Sequence, residues 1–265
     1  MNRQRHKTPV IGVDIDVLGW ISVLGRIEQW SQGHESRYVC LCNVHAAVTA
    51  TRDEKFRNAV ADADLVLPDG APIAWMLRQL GAITQPKISG PDLMWEYLAA
   101  EELKKGRIYL YGGCEQSLHL LCDRIQKSFP LVQIVGAYSP PFRELTTQED
   151  EDAVKALNQT APDVVFVGLG CPKQELWMAA HRGRVQAVMI GVGAAFDYHA
   201  QTLRRAPLWM QNCGFEWLYR LVVEPRRLWK RYLVTNSVFL LRAGDQWLRS
   251  RLSGIRPASS KISIH

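Results

Sequence analysis

Apolar runs and glycine-bearing turns alternate along the first 199 residues. Four runs rich in β-branched or aromatic residues precede a turn and a segment of helical periodicity: ADLVLPDG, RIYLYGGC, PDVVFVGLGCPKQ and VQAVMIGVGAAFDY. Two earlier runs, VIGVDID and RYVCLCNV, have the same character. This spacing predicts an α/β domain with a mostly parallel, doubly wound sheet. Because the runs are apolar at consecutive positions, we expect helices on both faces of the sheet.

The pattern changes in the last part of the chain. Residues 200–265 contain no strand–glycine–helix unit and predict two or three short amphipathic helices, interrupted near Pro225 and rich in Trp and Arg. This part has twelve Lys/Arg against three Asp/Glu, a local charge of +9. Since the whole chain has 32 and 26, residues 1–199 have twenty and twenty-three, or −3. We therefore predict a core over 1–199 and a basic helical appendage over 200–265, which binds phosphates of lipid or nucleic acid.

Cysteine usage and hydropathy predict the cellular compartment of the protein. The six cysteines form no C-x-x-C pair, and the N-terminus lacks the apolar region of a signal peptide, so we expect free thiols in a reducing cytosol. No apolar run reaches the eighteen residues that suggest a spanning helix. Any membrane contact is therefore expected at the surface.

The predicted strands should bring glycine turns to one edge. Ligands of open parallel sheets bind outside the carboxyl ends of the strands, where Asp69, Gly112 with Gly113, the 168–174 loop and the 191–193 turn should meet. Glycine lets backbone approach a diphosphate closely, so the turns suggest a phosphate-bearing ligand. No G-x-G-x-x-G opens the first unit, which favours a nucleotide other than a dinucleotide.

Several polar residues have two interpretations at this point. Asp69 is either the N-cap of the helix that includes Pro72 or a general base at the sheet edge. Asp14 and Asp16 form an acid-x-acid pair that could hold a metal, although turn-forming Asp explains it adequately. His45 is a ligand contact or a structural residue, and the structural interpretation is favoured. Cys40 and Cys42 lack a second pair at zinc-site spacing and are predicted to be core residues.

Longer segments identify a family. TRDEKFRNAVADADLVLPDGAPIAWMLRQLG, KISGPDLM, VFVGLGCPKQELWM and IGVGAAFDYHAQTLRRAPLWMQNCGFEWLYRLVVEPRRLWKRY occur in this order, and the match runs from about residue 8 to residue 245. They closely resemble the WecG/TagA/CpsF family of bacterial glycosyltransferases. The resemblance implies a Rossmann-like core, a membrane-reaching C-terminal appendage, and inverting transfer from a UDP-sugar to a polyprenyl-diphosphate-linked sugar at the cytoplasmic membrane face.

The resemblance also implies roles for single residues. Asp69 of LPDG matches the general base that deprotonates the acceptor hydroxyl, and Leu41 stands where the family pattern has Thr, which leaves the donor and the acceptor open. Lys87 stands where relatives often have Arg, so the charge is kept but the bidentate fork is lost. The substrate-binding residues that we predict are Asn43, Lys87, Gly112, Gly113, Gly170, Gln174, Gly193, Arg204, Arg205 and Arg220. The three arginines are candidates for the leaving UDP, with a lipid contact or a solvated face as the alternative for each.

Three function classes follow from the sequence. The first is a peripheral glycosyltransferase that needs no cofactor and no metal, uses UDP-glucose, UDP-N-acetylmannosamine or its uronic acid, and binds an anionic membrane surface. The second is a nucleic-acid-binding protein with a basic aromatic tail, and the third is a Rossmann-type oxidoreductase. The family motifs favour the first. The sugar, the acceptor saccharide and any homo-oligomer are not decided by the sequence.

Overall fold

A six-stranded parallel sheet with helices on both faces forms the body of the protein. The computed structural model describes residues 5–252. The strand order is β4-β3-β8-β7-β5-β6, and each neighbouring pair is parallel. These strands are β3 (Arg37–Cys42), β4 (Leu65–Pro68), β5 (Arg107–Gly112), β6 (Gln133–Tyr138), β7 (Val164–Gly168) and β8 (Val188–Gly191). The predicted α/β class is confirmed.

The first apolar run does not join this sheet. It folds into an antiparallel hairpin of β1 (Lys7–Val10) and β2 (Val13–Asp16), joined by a turn at Ile11 and Gly12. Gly12 has φ +93°, a conformation that glycine adopts without the strain that a side chain would add. The prediction of one strand over VIGVDID is therefore wrong, because its central glycine reverses the chain.

The helices cover two separate hydrophobic cores. One face of the sheet packs against α2 (Val44–Ala50), α3 (Glu54–Ala61), α4 (Ala71–Gln79), α7 (Thr147–Gln159) and α8 (Lys173–His181). The other packs against α1 (Trp20–Gln32), α5 (Gly90–Glu101), α6 (Glu115–Ser128) and α9 (Ala195–His199). Cys40 and Cys42 are buried in the first core, which confirms their prediction as core residues. The prediction of helices on both faces is therefore confirmed; it was based on strands that are apolar at consecutive positions.

The β5–β7 pair marks a change in the direction of winding. From β5 the chain passes through α6 to β6 on one side, whereas from β7 it passes through α8 to β8 on the other. The two helices lie on opposite faces, so their N-termini flank the carboxyl ends of β5 and β7. In open α/β sheets such a point is where ligands bind.

The C-terminal region forms α10 (Leu208–Asn212), α11 (Glu216–Val223) and α12 (Pro225–Leu252). Pro225 begins the 28-residue α12, where its missing N–H costs no helical hydrogen bond. The predicted interruption near Pro225 is confirmed, because α11 ends at Val223 and α12 begins at Pro225. The prediction of short helices is wrong for α12. Helix α12 buries Phe239 and Ala243 in the first core. None of the helices within residues 5–252 combines the length and hydropathy needed to cross a bilayer.

Candidate active site

A large cleft separates the carboxyl edge of the sheet from the C-terminal helices. Its volume is about 1450 Å³, and the segments that follow β3, β4, β5, β7 and β8 line one side of it. Side chains of α11 and α12 line the other side. The predicted meeting of the strand ends is confirmed. The C-terminal region after residue 199, called the tail below, forms the second wall of the cleft.

Asp69 lies in this cleft directly after β4. Its backbone N–H donates to the carbonyl of Cys42 (2.9 Å), which extends the β3–β4 pairing by one residue. Helix α4 begins after Gly70, which has φ +88° and provides no side-chain cap. The Asp69 carboxylate instead accepts a hydrogen bond from Nδ2 of Asn43 (3.1 Å). The N-cap interpretation of Asp69 is therefore wrong, and its carboxylate is left facing the cleft.

Asn43 holds Asp69 in place. It is the N-cap of α2, and its Oδ1 accepts from the N–H of Ala46 (3.1 Å). Because the cap fixes which end of the amide carries oxygen, the NH₂ group must point at Asp69. The structure thus gives Asn43, which the sequence marked for substrate binding, a direct contact with the candidate base.

The surroundings raise the pKa of the Asp69 carboxyl from its ordinary value of 3.8 to about 6. Burial is the main cause, because removal from water disfavours the charged form, and the negative charge of Glu216 adds to it. The hydrogen bond from Asn43 and the cations Lys87 and Arg220 act in the opposite direction. A carboxyl with this pKa is mostly ionised at neutral pH and still accepts a proton readily.

This raised pKa gives a prediction for stability. A folded-state pKa above the unfolded value stabilises the protein at low pH, and this stabilisation is lost as the pH rises through about 6. We therefore expect Asp69→Asn to be more stable than the wild type by about 2 kcal/mol at neutral pH and no more stable near pH 4. Urea denaturation at both pH values measures this difference. A variant that is less stable at neutral pH would contradict it.

An ion-pair network fastens the tail beside Asp69. Arg205 donates to Asp92 on α5 and to the Ser89 hydroxyl (3.1 Å), and its Nε lies 3.4 Å from Glu216 on α11. Lys87 lies 3.9 Å from the other oxygen of Glu216. The described lining of the cleft includes Glu216 but neither Lys87 nor Arg205. Both cations thus contact Glu216, and the charge of Lys87 also lowers the pKa of Asp69.

The predicted glycines divide into two groups. Gly113, Gly170 and Gly193 line the cleft, whereas Gly112 does not. A Cβ on Gly112 would lie 2.7 Å from the backbone of Gly168, so that glycine permits close packing of β5 on β7. The N–H of Gly113 already donates to Gly168 (3.2 Å). Gly112 and Gly113 therefore both contribute to the packing of β5 against β7, a role that the sequence analysis did not predict.

Gln174 is buried beneath the same edge. Its Oε1 accepts from the N–H of Gly193 (3.1 Å), and its Nε2 donates to Glu175 (3.0 Å). Both ends of the amide are therefore engaged within the protein. This arrangement fixes the turn after β8, and it places Gln174 in the cleft wall as predicted.

Arginines of the tail supply positive charge to the cleft. Arg220 of α11 lines it, with its guanidinium 5.8 Å from the ring centre of Tyr198 and 3.9 Å from Glu224. The predicted Arg204 is exposed and is not part of the described lining. Arg227 and Arg231 of α12 do line the cleft and were missed by the sequence analysis. Their i,i+4 spacing after Pro225 was the available signal, since it places both on one helical face.

The acid-x-acid pair lies in the hairpin. Asp14 is exposed, whereas Asp16 is 1% exposed and receives two hydrogen bonds from Arg5 (2.8 and 2.6 Å) and one from the N–H of Val66 (2.8 Å). Asp16 thereby joins β2 to β4. Within the part of the chain that the structure describes, no group of three His, Cys, Asp or Glu side chains is arranged to hold a metal ion.

The chain matches the profile described as Glycosyl transferase WecG/TagA/CpsF family over residues 8–253. A protein of Bacillus subtilis (strain 168) named N-acetylglucosaminyldiphosphoundecaprenol N-acetyl-beta-D-mannosaminyltransferase is 34% identical over 192 residues, which are 72% of this chain and 73% of that protein. Proteins with the same name from Bacillus spizizenii (29% over 201 residues, 76% of each chain) and Staphylococcus aureus strain NCTC 8325 (26% over 228 residues, 85% and 86%) are also similar. The chain therefore belongs to the WecG/TagA/CpsF family and is a glycosyltransferase.

Proposed function

We propose that this protein transfers a sugar from a UDP-sugar to a polyprenyl-diphosphate-linked saccharide, with inversion at the anomeric carbon. The observation that carries the proposal is the Asp69 carboxylate, which Asn43 holds at the cleft with a pKa raised to about 6. The similar proteins of Bacillus and Staphylococcus are named for transfer of N-acetylmannosamine to a polyprenyl-diphosphate-linked N-acetylglucosamine.

Asp69 acts as the general base in this proposal. It takes the proton of the acceptor hydroxyl while that oxygen bonds to the anomeric carbon and the bond from this carbon to the UDP oxygen breaks. The attack comes from the face opposite the leaving group, so the configuration inverts. Asn43 positions the carboxylate, and the charges of Glu216, Lys87 and Arg220 tune its pKa.

The departing UDP gains negative charge that the protein must offset. Arg220 and Arg231 enter the cleft from the tail, and no ion pair within residues 5–252 joins Arg231 to a carboxylate. Guanidinium groups bind diphosphates through charge-assisted hydrogen bonds, which strengthen as the leaving group becomes more anionic. We propose that these arginines take the place that a divalent metal has in other nucleotide-sugar enzymes.

The exposed apolar side chains of the tail support binding at a membrane surface, at the cytoplasmic face. Leu208, Trp209 and Val222 are 74%, 63% and 73% exposed, on the two helices next to the cleft. Basic residues such as Arg226 and Lys230 are exposed at the start of α12. Aromatic and aliphatic groups favour the bilayer interface and cations favour anionic lipid, so this surface would bring the cleft to a lipid-linked acceptor.

Replacement of the three apolar residues tests this surface. We expect the triple variant Leu208→Ser, Trp209→Ser and Val222→Ser to bind anionic liposomes at least tenfold more weakly, since each inserted side chain contributes about 1.5–3 kcal/mol. The control is Ile21→Ser with Leu103→Ser, which removes side chains that are 90% and 87% exposed on the body. Sedimentation with liposomes measures both. Equal binding by the triple variant and the wild type would contradict the proposed surface.

The names of the relatives suggest a donor for this protein but do not identify its own donated sugar. Leu41 is buried at the end of β3 and borders the cleft. The Thr that it replaces would offer a hydroxyl there, and loss of one hydrogen-bond partner changes discrimination between similar sugars. We propose UDP-N-acetylmannosamine as the first donor to test, with its uronic acid and UDP-glucose as the alternatives.

The test is a panel of UDP-sugars incubated with synthetic polyprenyl-diphosphate-linked saccharides, with products identified by mass spectrometry. We expect one donor to give a product with one added sugar and inverted configuration, both with and without EDTA. No transfer from any donor, with a correctly folded protein, would argue against the proposed substrates. Loss in EDTA that manganese restores would make Asp14 and Asp16 metal-ligand candidates again.

A further inference from the structure

One histidine that borders the cleft has a ring nitrogen of unexplained function. His45 lies in the first turn of α2, two residues after Asn43. It lines the cleft, and its Nδ1 is buried with no hydrogen-bond partner among the residues that the structure describes. A buried polar atom without a partner is costly, so such an atom beside a ligand cleft calls for an explanation.

A second side chain close to His45, that of Arg231, also has a buried nitrogen atom without a partner among the described residues. Arg231 of α12 lines the cleft, and its Nε is also buried, with no hydrogen-bond partner within residues 5–252. Its positive charge opposes protonation of His45, and together with burial, the larger cause, it lowers the pKa of the imidazole to about 4. His45 and Arg231 are two groups of the cleft lining that can carry positive charge, and Glu175 is a carboxylate of the same lining. Because no ion pair within residues 5–252 joins Arg231 to a carboxylate, an anion is favourable beside these two groups.

We infer that His45 and Arg231 together bind a phosphate group of a diphosphate substrate, with Nδ1 of His45 donating a hydrogen bond to a phosphate oxygen. The inference rests on the proposed function, since it assumes that a diphosphate enters this cleft. It changes the interpretation of His45 from a structural residue to a ligand contact. Both the UDP donor and the lipid-linked acceptor contain a diphosphate, and both have access to the same cleft.

The bound anion changes the ionisation of the histidine. A phosphate beside the imidazole favours its protonated form, so binding takes up a proton from the solvent at a pH above the pKa of about 4 that the free histidine has in the cleft. Arg231 on α12 opposes protonation of His45. Two carboxyl groups of the same cleft lining, Asp69 and Glu175, have pKa values raised by burial. The Asp69→Asn background therefore removes the proton exchange of Asp69, and the difference between this parent and its His45→Ala variant reports on His45.

The experiment is isothermal titration calorimetry of UDP, farnesyl diphosphate and uridine with the full chain. In the Asp69→Asn background, we expect His45→Ala to weaken binding of at least one diphosphate about tenfold and to leave uridine binding unchanged. The diphosphate that is affected identifies the source of the phosphate. Titration in buffers of different ionisation enthalpy should show proton uptake that His45→Ala abolishes. His119→Ala, which alters a 79% exposed histidine of α6, should bind like its parent.

The outcomes separate the inference from the proposed function. Unchanged binding of both diphosphates in His45→Ala, or proton uptake that persists in it, would overturn the inference alone. Weaker binding of uridine to the same degree would point to a structural role and also overturn it. His45→Gln, which keeps a polar side chain of similar reach, should bind more tightly than His45→Ala. A parent protein that binds neither UDP nor farnesyl diphosphate would count against the proposed function itself.

Discussion

Asp69→Asn is expected to lower kcat by about a thousandfold while the affinity for UDP stays within about threefold of the wild type. The amide has the shape of the carboxyl and can still accept the hydrogen bond from Asn43, but it cannot take a proton from the acceptor hydroxyl. Steady-state transfer to a short-chain lipid-linked acceptor measures kcat, and calorimetry measures the affinity for UDP. The loss should therefore appear in the chemical step.

Two comparisons sharpen this test. Asp14→Asn replaces an exposed carboxyl of the hairpin and should leave kcat unchanged. The Asp69→Asn variant should also be more stable than the wild type at neutral pH, so a loss of activity cannot be assigned to unfolding. Transfer by Asp69→Asn at close to the wild-type rate would show that another group takes the proton.

Arg220→Ala is expected to lower kcat/KM by about a hundredfold or more, because it removes one of the two cations that we propose to offset the charge of the departing UDP. Arg220 lies near Asp69, so its loss should also raise the pKa of that carboxyl and move the acid limb of the rate to higher pH. Arg220→Lys keeps the charge without the planar fork and should recover only part of the rate.

The control for Arg220 is Arg242→Ala. Arg242 is an exposed arginine of α12 outside the described lining of the cleft. Assays in detergent with a short-chain acceptor remove membrane binding from the comparison. If Arg220→Ala and Arg242→Ala have equal activity, Arg220 does not provide charge to the reaction.

Strand ends were the most predictable part of the site. The apolar runs before LPDG and GLGCPKQ were identified because buried parallel strands leave a strong pattern, and their ends meet at one edge in every doubly wound sheet. The hairpin was missed because each of its strands has only four residues and the run VIGVDID hides the turn at its single glycine. β6 was also missed, since QIVGAY is only partly buried at the sheet edge.

The roles of the polar residues were less accessible. Whether Asp69 caps α4 depends on the φ of Gly70 and on the position of the Asn43 amide. Neither can be predicted from the hydrophobic pattern of the sequence. The prediction that glycine N–H groups face a diphosphate did not anticipate that Gly113 donates to Gly168. Arg231 was overlooked because its relevance depends on how α12 lies across the body. Tertiary contacts of this kind decide function and leave little trace in local sequence.

Asp69 is the base in the proposed mechanism, and its surroundings raise its pKa. The most direct test is the pH dependence of kcat for the wild type and for Asn43→Ala. We expect an acid limb near pH 6 in the wild type and, because the hydrogen bond from Asn43 lowers the pKa of Asp69, a limb at higher pH in the variant. A rate that does not depend on pH in this range, or a limb that Asn43→Ala leaves in place, would contradict the claim.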